Sequence, residues 1–277
     1  MPPNDTSRVT VEELNVYPLK SGRGIRQSSV RLVATGCEWD RHWMITDAAG
    51  TFLSQRTHPR LAHIQPELSD EGLTLRAPDV PPLRLPLEPL GAPVAVQVWK
   101  DRCEGLDQGE DASAWASTIL AQPVRLVRVV DQPRRMANPQ FAGPMPMPVT
   151  FADGFPILVC NRASLDDLNT RMPEPVPMER FRPNIVLNGL PAFAEDRIAS
   201  LRIGPITLSL VKPCTRCVIT STDQRTGERT TNPLPVLRTF RFDRALLGVT
   251  FGENAVITAG VGSSIERGTE CIVTYDH

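Results

Sequence analysis

WMITDAAGTFLS, residues 43–54, is the segment that most clearly indicates the fold class. Residues 43–46 and 51–54 have the alternating character of short strands, and the residues between them, DAAG, favour a turn. The segment therefore predicts a β-hairpin. Similar runs occur elsewhere in the first half, at residues 10–16, 29–33, 61–68, 72–76 and 94–99. Closely spaced strands separated by turn signals predict a barrel or a sandwich.

The second half of the chain is also rich in predicted strands. Residues 131–150, which contain many prolines and lack periodicity, predict a linker or a long ordered loop. Helices are predicted at residues 111–120 and 164–171, with Asp111 and Ser164 as N-caps. Strands are predicted at residues 155–159, 184–188, 201–203, 206–211, 218–221, 255–258 and 272–275. Long helices do not alternate with these strands, so the pattern favours a mainly β fold with a few helices (α+β) over a doubly wound sheet.

The composition limits the classes of partner. The length of 277 residues predicts about two small domains. The 30 basic and 31 acidic side chains nearly balance, which predicts no attraction to nucleic acid or anionic membranes. The N-terminal segment lacks the apolar run of a signal peptide, and no apolar stretch could span a membrane, so we expect a cytoplasmic protein. Six cysteines are too few for a disulfide framework in a chain of this length, so each is a core residue, a metal ligand or a nucleophile.

KPCTRC, residues 212–217, is the most chemically suggestive motif. A zinc site is disfavoured because the chain has no second Cys-x-x-Cys and only four histidines. A thioredoxin-like redox motif is disfavoured because residues 218–221 are β-branched and strand-like rather than helical. One thiolate helped by Arg216 and Lys212 could instead be a soft metal ligand or a nucleophile. The remaining alternative is that both thiols are buried core side chains.

Three other clusters carry basic side chains. FRPN, residues 181–184, offers a guanidinium for an anion and an amide that could read a heterocycle edge, with a surface ion pair as the alternative. YPLKSGRG, residues 17–24, forms a basic turn that could expose N–H groups to an anion, although it is not a P-loop. WDRHW, residues 39–43, places an arginine among aromatic residues or at a packed strand edge. Nicotinamide, flavin and iron–sulfur motifs are missing from the sequence.

Taken in order, these clusters resemble one family. The motifs that carry the resemblance are YPLKSGRG, CEWDRHWM, FLSQRTHPRLA, ASLDDLN, FRPNIVLNG, CTRCVITSTDQRTGE and FGENAVI. Together they resemble the molybdenum cofactor sulfurase C-terminal (MOSC) family, in particular its two-domain members, which include the mitochondrial amidoxime-reducing component and its bacterial counterparts. The resemblance implies an N-terminal β-barrel domain at residues 7–128 and a MOSC β-barrel domain at residues 129–277.

The resemblance also implies a molybdenum cofactor, in which a pterin dithiolene with a phosphate tail carries the metal. By motif position the protein ligand of the metal is Cys217, and Cys214 is an accessory residue. Thr215 stands where a serine is common, and Asn254 stands where some members have tyrosine. The other positions that match cofactor-binding or site-lining residues are Lys20, Ser21, Arg41, Asp153, Arg182 and Asn184.

The function implied by the resemblance is the reduction of N-hydroxylated compounds such as amidoximes, hydroxylamines and N-hydroxylated bases. The electrons would come from a separate protein, namely a ferredoxin, a flavodoxin or a cytochrome b5-like protein with its reductase, because the chain lacks flavin and iron–sulfur motifs. The alternative is a sulfur carrier or cofactor-handling protein in which Cys217 bears a persulfide, although the desulfurase domain is missing. A β-barrel binding module with a degenerate site is the third possibility.

Overall fold

The structure, a computed structural model, describes residues 8–276. Residue 7 and His277, at the outer ends of the two predicted domains, lie outside the described residues, as does the first part of the N-terminal segment. The structure contains many short strands and few helices, which confirms the predicted mainly β fold. No helix among the described residues is long and apolar enough to cross a bilayer.

Nineteen strands and four α-helices build the described part of the molecule. The strands are β1 (Thr10–Val16), β2 (Ile25–Gln27), β3 (Ser29–Val33), β4 (Gly36–Cys37), β5 (Trp43–Thr46), β6 (Gln65–Ser69), β7 (Gly72–Ala77), β8 (Val80–Leu85), β9 (Ala92–Val98), β10 (Asp101–Asp107), β11 (Arg125–Val129), β12 (Ile157–Asn161), β13 (Ile185–Asn188), β14 (Ile198–Ile203), β15 (Ile206–Thr215), β16 (Phe242–Asp243), β17 (Gly248–Ala259), β18 (Ser264–Glu266) and β19 (Cys271–Tyr275). The α-helices are α1 (Glu110–Leu120), α2 (Pro139–Ala142), α3 (Arg162–Thr170) and α4 (Leu234–Phe240). Short 3-10 helices occupy Pro59–His63, Met178–Phe181, Ala194–Arg197 and Val218–Ser221.

The largest sheet joins strands from both halves of the sequence. Its order is β19-β14-β15-β17-β12-β13-β1-β2, with β16 paired to β17. Neighbouring strands are antiparallel except for the parallel pair β12 and β13. Three smaller sheets have the orders β5-β11-β10-β9, β18-β3-β4 and β6-β7-β8. β1 and β2 therefore extend a sheet whose other strands come from the second half of the chain, and β3 pairs with β18 of that half.

The hydrophobic core follows the same arrangement. One cluster combines Leu14 and Leu32 from the first half with Ile185, Leu208 and Ile265 from the second, and all five are buried. A second cluster packs α1 against the strands of the first half, around the fully buried Trp43. Burial of this apolar surface is the main stabilising contribution to folding, and it ties the two halves together.

The predicted strand at residues 218–221 is wrong. These residues form a 3-10 helix, although three of the four have β-branched side chains that favour strands. The hydroxyls provide the reason: Thr220 Oγ1 donates to the Cys217 carbonyl at 3.0 Å, and Ser221 Oγ donates to the Val218 carbonyl at 2.7 Å. Such side chain to backbone bonds compete with sheet pairing and stabilise a tight turn.

Both predicted helix caps are also wrong. α1 begins after Gly109 rather than Asp111, and α3 begins after Asn161, whose side chain accepts a hydrogen bond from the Ala163 N–H. Ser164 lies buried inside the first turn of α3, and its hydroxyl donates to Glu195 Oε2 at 2.8 Å. The serine is therefore used for a tertiary hydrogen bond that local spacing does not reveal.

Residues 131–150 form an ordered segment that contains α2. The Ala137 N–H donates to the Met147 carbonyl at 2.8 Å, which closes the segment on itself. Arg135, which is buried, anchors the segment by donating to the carbonyls of Thr150 at 2.6 Å and Ala152 at 2.8 Å. The prolines thus shape an ordered loop that leads into the strand β12.

Candidate functional site

A single cleft brings together all the site residues predicted from the sequence. The cleft has a volume of about 140 Å³ and is lined by residues from both halves of the chain. The predicted residues in its wall are Lys20, Ser21, Arg41, Asp153, Arg182, Asn184, Thr215, Cys217 and Asn254. The structure thus gathers side chains that are up to 234 positions apart, from 20 to 254, while their individual roles remain predictions.

The cysteine motif lies at the end of β15. Thr215 is the last residue of that strand and pairs with Thr250 of β17, and the Arg216 N–H donates to the Val249 carbonyl at 2.8 Å. The chain then leaves the sheet, and Cys217 is the residue that precedes the short 3-10 helix. Cys214 and Cys217 are both half-buried and line the cleft. The end of β15 therefore presents both thiols next to the cleft.

Arg216 distinguishes the two thiols. Its Nη1 donates to the Cys214 sulfur at 2.9 Å, and its Nη2 donates to the Phe181 carbonyl at 2.6 Å. Burial lowers the pKa of Arg216, but the neighbouring Cys214, Cys160 and Cys217 raise it above its usual value. Within residues 8–276, the sulfur of Cys217 makes no hydrogen bond. Cys217 therefore has the more available sulfur of the two.

Lys212, which the sequence suggested as a helper of the thiolate, does not line the cleft. Its ammonium group lies 4.9 Å from the centre of the Phe141 ring and 5.9 Å from that of Phe155. Lys212 lies within β15, whereas Cys217 follows the end of that strand, and the lysine packs on Phe141 of the 131–150 segment instead. Of Lys212 and Arg216, only the arginine makes a recorded contact with a cysteine of the motif in the described structure.

Two arginines of the cleft wall stack on one buried aromatic ring. The guanidinium carbons of Arg41 and Arg182 each lie 4.4 Å from the centre of the Tyr17 ring, a cation–π distance. Burial, followed by the charge of Arg41, lowers the pKa of Arg182 to about 10, so the side chain remains charged at neutral pH. Among the described residues, Nη2 of Arg182 is buried and has no hydrogen-bond partner. A buried unpaired donor costs free energy, which an acceptor in the cleft would recover.

A buried carboxylate holds this arrangement in place. Asp40 forms an ion pair with Arg41, and its Oδ1 accepts from the Tyr17 N–H at 2.8 Å and from Asn184 Nδ2 at 3.1 Å. The charge of Asp40 offsets Arg41, while Arg182 has no ion-pair partner among residues 8–276. The cleft therefore retains excess positive charge and favours an anion.

The amide of Asn184 is already occupied by protein groups. Its Oδ1 accepts from the Leu158 N–H at 3.1 Å and from Arg41 Nη1 at 3.3 Å. Its Nδ2 donates to Asp40 and to the Asn15 carbonyl. The sequence suggested that this amide reads a heterocycle edge. In the structure it instead orients Arg41.

The lysine of the basic turn is paired across the cleft. Lys20 is buried, and its Nζ lies 2.5 Å from Asp153 Oδ1 and 2.7 Å from the Phe151 carbonyl. Burial lowers the pKa of Lys20, while Asp153 opposes that shift. The next residue, Ser21, has a φ of 66° and is fixed by Gln55 Nε2, which donates to its carbonyl at 2.8 Å. The turn is thus held rigidly against the segment before β12.

Sequence reasoning missed several residues of this region. Gln55 and Arg56 lie in the FLSQRTHPRLA motif, which could have indicated them, and Asp40 lies in WDRHW directly before Arg41. Trp99 had no recognisable signal, because its contact with Asp153 joins two distant loops. No group of three or more His, Cys, Asp or Glu side chains in the described part of the chain is arranged to hold a metal ion. A metal here would need ligands beyond the protein.

Comparison with protein families gives two matches along the chain. The family described as MOSC N-terminal beta barrel domain matches residues 8–123, and the MOSC domain family matches residues 146–271. Their order along the chain is the order implied by the sequence motifs. The cleft receives residues from both matched regions, since Lys20 and Arg41 come from the first and Arg182 and Cys217 from the second.

Whole-chain relatives extend this result. The mitochondrial amidoxime-reducing component 1 of Mus musculus is 35% identical over 253 residues, which are 86% of this chain and 74% of that protein. The protein of the same name from Homo sapiens is 34% identical over 246 residues, covering 84% of this chain and 72% of that protein. The molybdenum cofactor sulfurase of Danio rerio is 30% identical over 267 residues, covering 88% of this chain but 32% of that protein. The names of the first two refer to mitochondria, so the predicted cytoplasmic location of this chain stays a prediction.

Proposed function

The chain belongs to the MOSC family, in its two-domain form, and on that basis we propose that it is a molybdenum-cofactor-dependent reductase of N-hydroxylated compounds. The observation that carries the proposal is that one available thiol and a pair of arginines line the same cleft. Relatives named amidoxime-reducing components, which align over more than four fifths of the chain, support the same reaction class. The substrates are amidoximes, hydroxylamines and N-hydroxylated bases.

The residues of the cleft fit such a cofactor. A thiolate is the ligand type that a soft metal centre prefers, and Cys217 offers a sulfur without a protein hydrogen bond in the described structure. A phosphate-bearing pterin is an anion with polar ring edges, and it would supply the acceptor that Arg182 Nη2 lacks. Because a single protein ligand cannot retain a metal, the remaining ligands would come from the pterin dithiolene. We assign metal ligation to Cys217 alone.

The other residues of the cleft bind and orient. Arg41 and Arg182 attract the anionic part of the cofactor, and Ser21 and Thr215 lie in the same wall with hydroxyl groups that can donate to it. Asn254 is fixed by donating from Nδ2 to the Lys212 carbonyl at 3.1 Å, which leaves its Oδ1 as an acceptor on the cleft. These side chains hold the cofactor from several directions, which is the protein's main contribution in cofactor enzymes.

Asp153 is suited to orient the substrate. Its Oδ1 accepts from Lys20 and Trp99, while the one partner recorded for its Oδ2 in the described part of the chain is Arg56, at 4.0 Å. Oδ2 can therefore accept a hydrogen bond from the N–H or O–H of an N-hydroxylated compound. The bound cofactor supplies the two electrons for cleavage of the N–O bond, and the reaction takes up two protons as the oxygen leaves as water.

An external redox protein is the proposed source of electrons. The sequence contains no flavin, nicotinamide or iron–sulfur motif that could serve this purpose within the chain. A ferredoxin, a flavodoxin or a cytochrome b5-like protein with its reductase is the class of partner that delivers single electrons to a buried centre. The cleft that such a partner would approach is lined by residues from both halves of the chain, for example Lys20 and Arg182.

Turnover of a simple substrate tests the proposal. The protein, purified from a host that makes the molybdenum cofactor, is given benzamidoxime and reduced methyl viologen, and benzamidine is quantified. We expect wild-type protein and Cys214→Ser to form benzamidine and Cys217→Ala to form none, because only Cys217 is assigned to the metal. Full activity in Cys217→Ala, or no activity in a wild-type protein that carries the cofactor, contradicts the proposal.

A sulfur carrier is the second candidate function. The favouring observation is that two thiols line one cleft and that the match to a molybdenum cofactor sulfurase covers most of the chain. Mass spectrometry of the intact protein distinguishes the two functions, since a carrier accumulates a persulfide on Cys217 when a sulfur donor is present. Unmodified Cys217 in molybdenum-loaded protein argues for the reductase.

A further inference from the structure

Trp99 occupies an unusual position in a tight turn. It lies with Lys100 between the paired residues Val98 of β9 and Asp101 of β10, so the two residues form the hairpin connection. The φ angle of Trp99 is 57°, in the left-handed region that glycine and asparagine adopt most readily. A tryptophan there is strained, and strain retained in a native structure points to a role outside the turn itself.

Contacts at the rim of the cleft fix the indole ring. Its Nε1 donates to Asp153 Oδ1 at 3.1 Å, and the guanidinium carbon of Arg56 lies 4.3 Å from the ring centre. The ring of Phe52 meets it at 61°, with centres 4.9 Å apart. Asp153 and Arg56 both line the cleft, so these contacts attach the indole to the cleft wall.

The indole is not used for core packing. Trp99 is 42% exposed and belongs to none of the hydrophobic clusters found in the described part of the chain. The backbone of Trp99 is therefore strained and its side chain is partly exposed, yet three partners hold the ring in place.

The charges around the ring disfavour a cationic ligand. The carboxylate of Asp153 is paired with Lys20 at 2.5 Å and has Arg56 at 4.0 Å, so this rim offers no free negative charge to a cationic group. The free surface of the indole can accept an aromatic ring in stacked or edge-to-face contact. An uncharged aryl amidoxime combines such a ring with N–H and O–H donors for the nearby Asp153.

We propose that Trp99, held by Arg56, Phe52 and Asp153 at the rim of the cleft, is a specificity-determining residue that selects N-hydroxylated substrates bearing a flat aromatic group. The proposal rests on the proposed function, because it takes the cleft as the place of substrate reduction. The aryl group contacts the indole, and the N-hydroxylated group extends past Asp153 into the cleft that contains Cys217.

Binding of two matched oximes to the cofactor-loaded enzyme tests the proposal without turnover. Benzamidoxime and acetamidoxime share the reacting group and differ by phenyl against methyl, and calorimetry without an electron donor gives both dissociation constants. We expect wild-type protein to bind benzamidoxime roughly fivefold or more tightly than acetamidoxime, from the contribution of one aromatic contact. Trp99→Ala loses this ratio, and Trp99→Phe retains most of it.

Tyr275→Ala is the matched control, since Tyr275 is also an exposed aromatic residue, 43% exposed, with Arg197 nearby, but lies on the edge strand β19. This variant keeps the wild-type ratio if Trp99 acts locally. An equal affinity for both oximes in wild-type protein, or an unchanged ratio in Trp99→Ala, overturns the inference. If the aryl preference depends on Trp99 but no oxime is reduced when electrons are supplied, the inference stands and the proposed function falls.

Discussion

Single residues set the charge of the cleft. Arg41 has Asp40 as its ion-pair partner, whereas Arg182 shares the Tyr17 ring with it and has a buried Nη2 that lacks an acceptor in residues 8–276. Two adjacent guanidinium groups with one neutralising carboxylate favour binding of an anion over an empty cleft. Arg182 is therefore a cation of the cleft without an ion-pair partner among residues 8–276, and a bound anion would neutralise it.

Removal of that charge should weaken cofactor binding. In Arg182→Gln we expect the pterin content per chain to fall by roughly tenfold or more, because a charged hydrogen bond to an anion is lost from a buried site. Fluorescence of the oxidised pterin measures the content, and circular dichroism checks the fold. Arg171→Gln is the control, since Arg171 stacks on Phe240 at an exposed position. Equal pterin in Arg182→Gln and wild-type protein would argue against an anion site there.

Glu253 makes the stability of the protein depend on pH. Burial, followed by the charges of Asp196 and Glu195, raises the pKa of Glu253 to about 9 from 4.5, against the opposing effect of Arg241. Its Oε1 is buried and unpaired among the described residues. The folded protein binds more protons than the unfolded chain between these two pKa values, so its free energy of unfolding falls as pH rises through that window.

Glu253→Gln should therefore stabilise the protein most at alkaline pH. We expect its melting temperature to exceed that of wild-type protein by a few degrees or more near pH 8, and by much less near pH 5, where the unfolded chain also begins to be protonated. Thermal unfolding at several pH values measures the difference. A gain that is the same at both pH values would contradict a raised pKa as its cause.

Among the elements, β17 shapes the cleft through an irregularity. Its pairing with β15 shifts register between Pro213 and Thr215, opposite the residues that surround Gly252. Gly252 has a φ of 76°, and a Cβ there would lie 2.6 Å from the Cys160 sulfur and 2.7 Å from the Val159 carbonyl. Only glycine fits this position without displacing backbone. The bulge lets one strand carry Asn254 to the cleft and Glu253 to the core.

Gly252→Ala should accordingly be strongly destabilising. We expect a loss of roughly 2 kcal/mol or more in the free energy of unfolding, from the left-handed φ together with the close contacts. Gly262→Ala is the control, because Gly262 also has a positive φ, 92°, but a Cβ added there would have nothing within 4 Å among the described residues. Denaturant unfolding measures both, and equal losses would show that the bulge packing has no part in the effect.

The sequence predicted elements well where alternation was local. The bounds of β1, β3 and β5 match the predicted residues 10–16, 29–33 and 43–46. β1 and β3 alternate between more and less buried residues, whereas all four residues of β5 are buried. Elements governed by longer-range or side-chain bonds were not predictable in this way. Residues 218–221 became a 3-10 helix through hydroxyl bonds. Residues 80–85, which include Pro81 and Pro82, form the edge strand β8, where missing N–H groups are tolerated.

For the site, the family resemblance identified nine residues that the fold brings to one cleft, and all of them except Asp153 lie in the quoted motifs. The motifs did not reveal that the Asn184 amide is occupied by Arg41, Asp40 and two backbone groups, since those partners lie in other motifs. They also did not reveal Trp99, because its hydrogen bond to Asp153 forms only when β9 and β10 are paired in their hairpin. Residue type can be read from a motif, but hydrogen-bond partners require the fold.

In the whole molecule, the two halves of the chain share their sheets. β1 pairs with β13 and β3 pairs with β18, so strands of the first half cover edges of the second. Val11 and Leu14 of β1 are fully buried in a core that contains Ile185. The predicted domain boundary at residues 128 and 129 follows the chain, whereas the sheets and the core cross it.

The second half alone should therefore fold poorly. A fragment of residues 129–277 exposes the edges of β13 and β18 together with the apolar surface that Val11 and Leu14 cover. We expect it to lack a cooperative thermal transition, and expect co-expressed fragments 1–128 and 129–277 to associate and restore one. A cooperative transition in the isolated fragment would show that the shared strands are dispensable for the fold.

The molybdenum content of the purified protein tests most directly whether Cys217 is a metal ligand. Protein from a host with intact cofactor synthesis is analysed for molybdenum and pterin per chain, beside Cys217→Ala and Cys214→Ser. We predict near-stoichiometric molybdenum in wild-type protein and Cys214→Ser, and a loss of roughly tenfold or more in Cys217→Ala. Absence of molybdenum and pterin from all three, or equal molybdenum in Cys217→Ala, would contradict a cysteine-ligated molybdenum centre in this cleft.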